Sequence, residues 1–245
     1  MKSFSHYMLK LAHRHSISNV FRDFLEIAVC ALAQGSMEKE YFEVIKRYEK
    51  SELLLFTEAF AALIIEMDNK GNGLLDIFGD FFMEHISHGH NGQFFTPQPI
   101  CDMLSAMTTE KLQDGQRILD PACGSGRTLL ASAKINRNAL FYGADVDRTC
   151  SMMCLINLCL NNLKGEVAWM NSLSNEFYGG WQVRRIPFVE APYIHPITEE
   201  ESYIVLRKPF VQIEEQKKVP AFDFSKLPEI KIEPARPVQQ LLFNF

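Results

Sequence analysis

The sequence contains no run of about 18 consecutive apolar residues, the minimum for a membrane-spanning helix. Its first residues, Met1-Lys2-Ser3-Phe4-Ser5-His6, lack the apolar stretch and small-residue cleavage site of a secretion signal. The expectation is a cytoplasmic protein with no membrane association. Excess positive charge is also missing. A formal net charge of −5 and a pI near 5.8 exclude a protein that coats nucleic acid by bulk electrostatics. They leave room for a local basic groove, or for a partner that supplies one. The six cysteines are scattered and read as reduced thiols. Cys150, Cys154 and Cys159 fall in one expected helix and read as small core residues, not metal ligands. His85, His88 and His90 have no cysteine or acidic pair at ligand spacing and read as a solvated loop. No glycine follows Gly180, and five of the eleven prolines lie between Pro209 and Pro237. A strand or hairpin over Tyr203 to Ile213, then an extended Pro-rich extension, is expected for residues 206–245.

The 245 residues are enough for one sizeable domain and a smaller appendage. With 47% hydrophobic and 22% charged residues, the composition is that of an ordinary globular chain. Residues 1–90 read as a helical region. Phe21, Phe24, Leu25, Val29 and Leu32 recur at helical spacing, and Leu53 to Met67 forms a second apolar helix. The stretch Asp68-Asn69-Lys70-Gly71-Asn72-Gly73 breaks the pattern before it resumes from Leu74 to Ile86. From residue 91 to 205 helices and strands alternate. Helices are expected over Ile100 to Met107, Thr128 to Lys134 and Thr149 to Leu163. Strands are expected over Arg117 to Asp120, Ala139 to Asp145 and Glu166 to Asn171, with a fourth at Ile186 to Val189. Such alternation implies parallel βαβ units.

The segment that carries chemistry is Asp120-Pro121-Ala122-Cys123-Gly124-Ser125-Gly126-Arg127. An acidic residue ends a buried strand, two glycines permit a tight turn, and a helix begins at once. This brings a ligand against backbone N–H groups at a helix N-terminus. The loop matches neither the G-x-G-x-x-G dinucleotide fingerprint nor the Gly-Lys-Ser/Thr of a P-loop. The full octet resembles the S-adenosylmethionine loop of adenine-specific DNA methyltransferases, particularly the modification subunits of type I restriction systems. Gly92-Gln93-Phe94-Phe95-Thr96-Pro97 resembles the segment that, in that family, precedes the catalytic domain and closes over the methionine end of the cofactor. Leu75 to Phe82 is similar to the family's helical lead-in. The resemblance implies an α/β fold, a class I methyltransferase (Rossmann-like) sheet preceded by an N-terminal helical region. It implies cofactor binding by Phe95, Thr96, Pro97, Asp120, Ala122, Gly124 and Gly126. Asp145, at the tip of the second strand, fits the ribose-binding acid, with Asp147 as the alternative or as a helix cap. Asn171, ending the third strand, fits the residue facing the adenine or serves a turn. Asn157 fits either the family pattern or a packing role.

The chain departs from the family where the target base should be held. Members carry Asn/Asp-Pro-Pro-Tyr/Phe after the fourth strand, to accept hydrogen bonds from the exocyclic amine of a flipped adenine and to stack on it. No such tetrapeptide occurs here. The nearest candidate is Glu190-Ala191-Pro192-Tyr193, with Glu190 as acceptor and Tyr193 as stacking residue, or else an unrelated loop. Residues 194–245 hold at most one or two strands, so target selection is expected from another subunit. Gln239-Gln240-Leu241-Leu242-Phe243 resembles the pentapeptide that docks bacterial replication and repair proteins onto the sliding clamp, or it is a packed tail. The expected function is adenine methylation in DNA with an atypical catalytic motif. A non-catalytic cofactor-binding subunit or regulator of the same fold, and a methyltransferase for RNA or protein, are the alternatives.

Overall fold

In the computed structural model, the described residues are 2–87, 95–109 and 111–207. The first 85 residues are helical: α1 (Phe4–Leu11), α2 (Ile17–Leu32), α3 (Glu38–Ile45), α4 (Lys50–Asp68) and α5 (Ile77–His85). Local chemistry sets their ends. The Ser3 hydroxyl accepts from His6 N–H at 3.2 Å to start α1. Glu49 and Glu52 form a reciprocal capping box on α4, and Asn69, in the left-handed conformation, ends it. The glycine- and asparagine-rich break thus begins with the helix C-cap.

Aromatic side chains fill the space between these helices. Phe4 meets Phe24 at 5.1 Å and Phe81 at 5.3 Å edge-on, and Phe21 stacks on Phe81 at 5.2 Å. All four are buried, each contributing about 1.5–3 kcal/mol through burial. The apolar core does not stop at the helical region. α2 packs on a later helix, α8 (Arg148–Leu160), and one continuous cluster runs from Phe4 to Ile194. At the edge of this contact Arg148 grips Glu26 with both guanidinium amines, one bond at 2.7 Å.

The remainder is an α/β arrangement around a mixed five-stranded sheet. After α6 (Gln98–Thr108) come β1 (Arg117–Asp120), α7 (Arg127–Ile135), β2 (Leu140–Asp145), α8, β3 (Gly165–Asn171), β4 (Glu176–Arg185) and β5 (Pro192–Ile197). The sheet order follows the chain, β1-β2-β3-β4-β5, with β1 at one edge and β5 at the other. β1, β2 and β3 are parallel, as the alternation predicts. β4 and β5 form an antiparallel hairpin on β3. Among the described residues the sheet is therefore not wound in both directions from β1.

Two expectations about strands are corrected. Ile186 to Val189 is no strand but the turn of the hairpin, closed by Ile186 N–H to Ala191 O (2.9 Å) and Glu190 N–H to Ile186 O (3.0 Å). The strand or hairpin expected over Tyr203 to Ile213 opens with a bend at Tyr203 to Val205, because Glu166 fixes it from within β3, and residues 208–213 lie outside the described residues. The buried Glu166 carboxylate accepts from Ser202 Oγ at 2.5 Å and from Tyr203 N–H at 3.1 Å. This lays Ile204 on the sheet face formed by Tyr142, Ala144, Ala168 and Met170.

Candidate functional site

Three parallel strands end side by side, and their last residues are Asp120, Asp145 and Asn171. The loop from Pro121 to Gly126 leaves β1 and turns into α7 above these ends. Its first hydrogen bonds are local: Asp120 accepts from Ala122 N–H at 3.1 Å and from the Thr128 hydroxyl, and Cys123 N–H donates to Ala144 O at 2.9 Å. Gly124 has φ +53° and Gly126 φ +85°, the left-handed region that favours glycine. Space is short as well. A Cβ on Gly124 would lie 3.0 Å from the Phe95 ring, and one on Gly126 would lie 2.7 Å from Cys154 Sγ on α8.

Asp145 links β2 to the loop. One carboxylate oxygen accepts from Gly124 N–H at 2.9 Å and the other from Asp147 N–H at 2.9 Å. Burial raises its pKa above the ordinary value of 3.8, the two N–H donors oppose this, and the charges of Asp147 and Asp120 add to the rise. Asp147 itself caps α8, accepting from Thr149 N–H at 2.7 Å. Asn171 Oδ1 accepts from Leu173 N–H at 3.0 Å and Ser174 N–H at 3.3 Å, so its carboxamide oxygen serves a turn. That turn is tied to the loop, for Ser172 Oγ donates to Pro121 O at 2.7 Å.

Phe95 stacks on Phe82 of α5 at 5.2 Å and lies against Gly124. Thr96 O accepts the Cys101 thiol at 3.5 Å, and Pro97 is the N-cap of α6, so both set the start of that helix. Ala122 is exposed on the loop. The preceding Gly92, Gln93 and Phe94 lie outside the described residues, as does Gln239 to Phe243.

What holds the loop is a residue to which the sequence assigns no role of its own. Asp76, the N-cap of α5, is buried and takes four donors: Gly79 N–H at 2.9 Å, Ser125 Oγ at 2.5 Å, Arg127 Nε at 2.8 Å and Asn157 Nδ2 at 2.9 Å. Asn157 also donates to Ser125 O at 2.9 Å, and Arg127 reaches Asp80 at 2.6 Å. Burial alone would lower the Arg127 pKa, but Asp76 and Asp80 outweigh it and raise it. The lead-in helix, the loop and α8 thus meet on one carboxylate. The available signal is an acid placed to cap an apolar helix, upstream of an arginine that sits in the glycine loop.

The expected target-base segment does not join this constellation. Tyr193 and Pro192 pair with Arg184 and Arg185 at the start of β5, next to the amino end of β3, where Gly165 pairs with Val183. Asn171 is at the other end of the same strand, roughly 20 Å away at about 3.3 Å per residue. Glu190 sits in the hairpin turn, where Arg185 Nη1 donates to it at 3.2 Å. The correction follows from β4: a long antiparallel strand carries the chain back to the far end of the sheet before Glu190 is reached.

The donor set fits a nucleoside-bearing cofactor. Acceptor carboxylates stand at the tips of adjacent parallel strands, beside a loop whose two glycines take the left-handed conformation. Comparison with known proteins agrees with this class. The chain matches the N-6 DNA Methylase family over residues 74–222, more than half of its length, and belongs to that family. It is 29% identical over 154 residues to the type I restriction enzyme MpnII methylase subunit of Mycoplasma pneumoniae. That alignment covers 54% of this chain and 28% of the relative, so the chain spans less than a third of that protein's length. No solved structure matches.

Proposed function

We propose that this chain is the S-adenosylmethionine-binding part of an adenine-specific DNA methyltransferase, working with a partner that selects and holds the target. The observation that carries this reading is the convergence of Asp120, Asp145 and Asn171 around a glycine loop fixed from behind by Asp76. S-Adenosylmethionine, when bound, supplies an activated methyl group. The chain's own residues orient it. Each Asp145 oxygen has a lone pair beyond its present N–H donor, which suits two ribose hydroxyls. Asp120 stiffens the loop through Ala122 and Thr128, and Phe95 covers it from the side of α5. DNA is the proposed substrate, and a specificity subunit the proposed partner.

A second reading, a cofactor-binding regulator without catalysis, is favoured by one fact. The sequence has no Asn/Asp-Pro-Pro-Tyr/Phe, and its nearest substitute lies at the wrong end of the sheet. Isothermal titration with S-adenosylmethionine, followed by transfer of labelled methyl to DNA, tests both. Wild type is expected to bind and Asp120→Ala to bind weakly or not at all. No binding by wild type sinks the cofactor reading. Transfer by wild type but not by Asp120→Ala selects the enzyme. Binding without transfer selects either partner dependence or the regulator, and adding the partner separates those two.

A further inference from the structure

The two faces of the sheet are unlike. Ile118, Phe141, Val167, Val183 and Ile194 point to the face covered by α7 and α8 and belong to the main core. The alternate residues point to the other face, whose apolar cluster holds no helix residue among the described residues. The strand register lines up one row across this second face. Arg117 pairs with Leu140, and Arg184 pairs with Tyr193. Lys164 falls between them, one step before Gly165, which pairs with Phe141 and Val183. Strands lie about 4.8 Å apart, so Lys164 stands roughly 10 Å from Arg117 and roughly 5 Å from Arg184 across the row. Among the described residues none of these three cations has a carboxylate partner. Arg184 donates to Gln182 Oε1 at 2.9 Å, and Arg117 lies over the rings of Tyr142 at 5.8 Å and Tyr203 at 5.3 Å. Neighbouring Arg185, by contrast, is paired with Glu190. Tyr203 is 66% exposed and is held in place by its main-chain bond to Glu166. An open cavity of about 180 Å³ lies between Tyr142, Lys164, Gln182, Arg184 and Tyr203.

We propose that this row, at the amino-terminal margin of the parallel strands and away from the glycine loop, binds single-stranded nucleic acid, with its cations on phosphates and Tyr203 and Tyr193 on bases. Charge complementarity names a polyanion. The whole chain carries −5, so three unpaired cations aligned on one margin run against its overall charge. Residues 208–245 do not supply the complement, for they hold six Lys and Arg against five Asp and Glu. The one carboxylate in the adjacent row, Glu166, is buried and already accepts from Ser202 and Tyr203. Glu199 to Glu201 follow β5 at the opposite margin, where Ile197 pairs with Gly180, and confine a polyanion to the cationic row. The tyrosines select an unpaired strand, because base faces are free to stack on side chains only where the strand is single. The inference does not use the cofactor reading: it concerns the other end of the strands. DNA and RNA share the chemistry involved, and the test compares them.

Fluorescence anisotropy of labelled oligothymidylate, oligouridylate and a mixed-sequence duplex, with the full chain and no S-adenosylmethionine, tests it. A single strand is expected to bind more tightly than the duplex, and the tighter of the two single strands names the source. Three phosphate contacts give a log–log salt slope of about −2, at about 0.7 per cation. Arg117→Gln with Lys164→Gln is expected to flatten that slope by about 1.4. Tyr203→Ala is expected to weaken binding about 10-fold and leave the slope unchanged. The charge-matched control, Lys10→Gln with Lys39→Gln at exposed positions of α1 and α3, is expected to change neither. Wild type also keeps the test independent of variant folding: a strand carrying 5-iodouracil is expected to crosslink to Tyr203 or Tyr193 on irradiation. No binding of either single strand, duplex binding as tight, equal losses in the control, or crosslinks only elsewhere overturn the proposal. Neither readout needs cofactor or methyl transfer, so failure here is distinct from failure of the cofactor reading.

Discussion

Asp145 is under two opposing demands, and pH separates them. Its raised pKa means that the folded chain favours the protonated carboxyl. Its contribution to stability is complete below the unfolded value near 3.9 and is lost as pH rises through the higher folded value. In the proposed function, ribose hydroxyls require the ionised form, so cofactor affinity is expected to move the other way and fall as pH drops through that same value. Calorimetric titration between pH 7 and pH 4 should show affinity declining at a higher pH than an exposed aspartate would give. Asp145→Ala should weaken binding about 10- to 100-fold, the loss of charge-assisted hydrogen bonds worth about 1.5–3 kcal/mol. Unchanged affinity would remove Asp145 from the site. Asp76 makes a different prediction. Asp76→Ala leaves Arg127 buried with only the exposed Asp80 beside it, and should cost about 3 kcal/mol in urea unfolding. Asp80→Ala should cost less than about 1 kcal/mol, because that carboxylate is in solvent.

At the scale of elements, α7 depends on how closely its first turn approaches α8. Gly126→Ala forces a left-handed alanine and drives its Cβ into Cys154, so a fall of several degrees in Tm and loss of cofactor binding are expected. Cys154→Ala in the same chain should restore part of the Tm, because Cys154 Cα and Cβ stay within 3.3 Å and φ is unchanged. The same elements show what the sequence could reveal. β1, β2, β3 and their helices were legible because each is a short apolar run ended by an acid, a glycine or an asparagine. β4 was not, for Gly179-Gly180 in its middle mimics a loop, although Trp181 and Val183 alternate toward the core. β5 was hidden by Pro192 and Pro196, which a strand at the edge of the sheet among the described residues tolerates. With both missed, Glu190 to Tyr193 read as the tail of a fourth parallel strand. The loop residues of the candidate site were visible as a motif. The role of Asp76 was not, because its partners lie 49, 51 and 81 positions away.

The whole molecule behaves as its core dictates. Helical region and sheet share one apolar cluster, with α2 against α8 and Arg148 on Glu26, so residues 2–206 should unfold together. Both tryptophans, Trp169 and Trp181, are in the sheet, while most of the helix is upstream. Fluorescence and far-ultraviolet circular dichroism should therefore give the same urea midpoint, and two separated midpoints would contradict the shared core.

The knot at Asp76 also constrains how this lineage can change. Positions 76, 125, 127 and 157 are joined by hydrogen bonds to one carboxylate, so a change at one strands a buried charge or amide at another. A descendant that keeps the loop must inherit all four or replace them in compensating pairs.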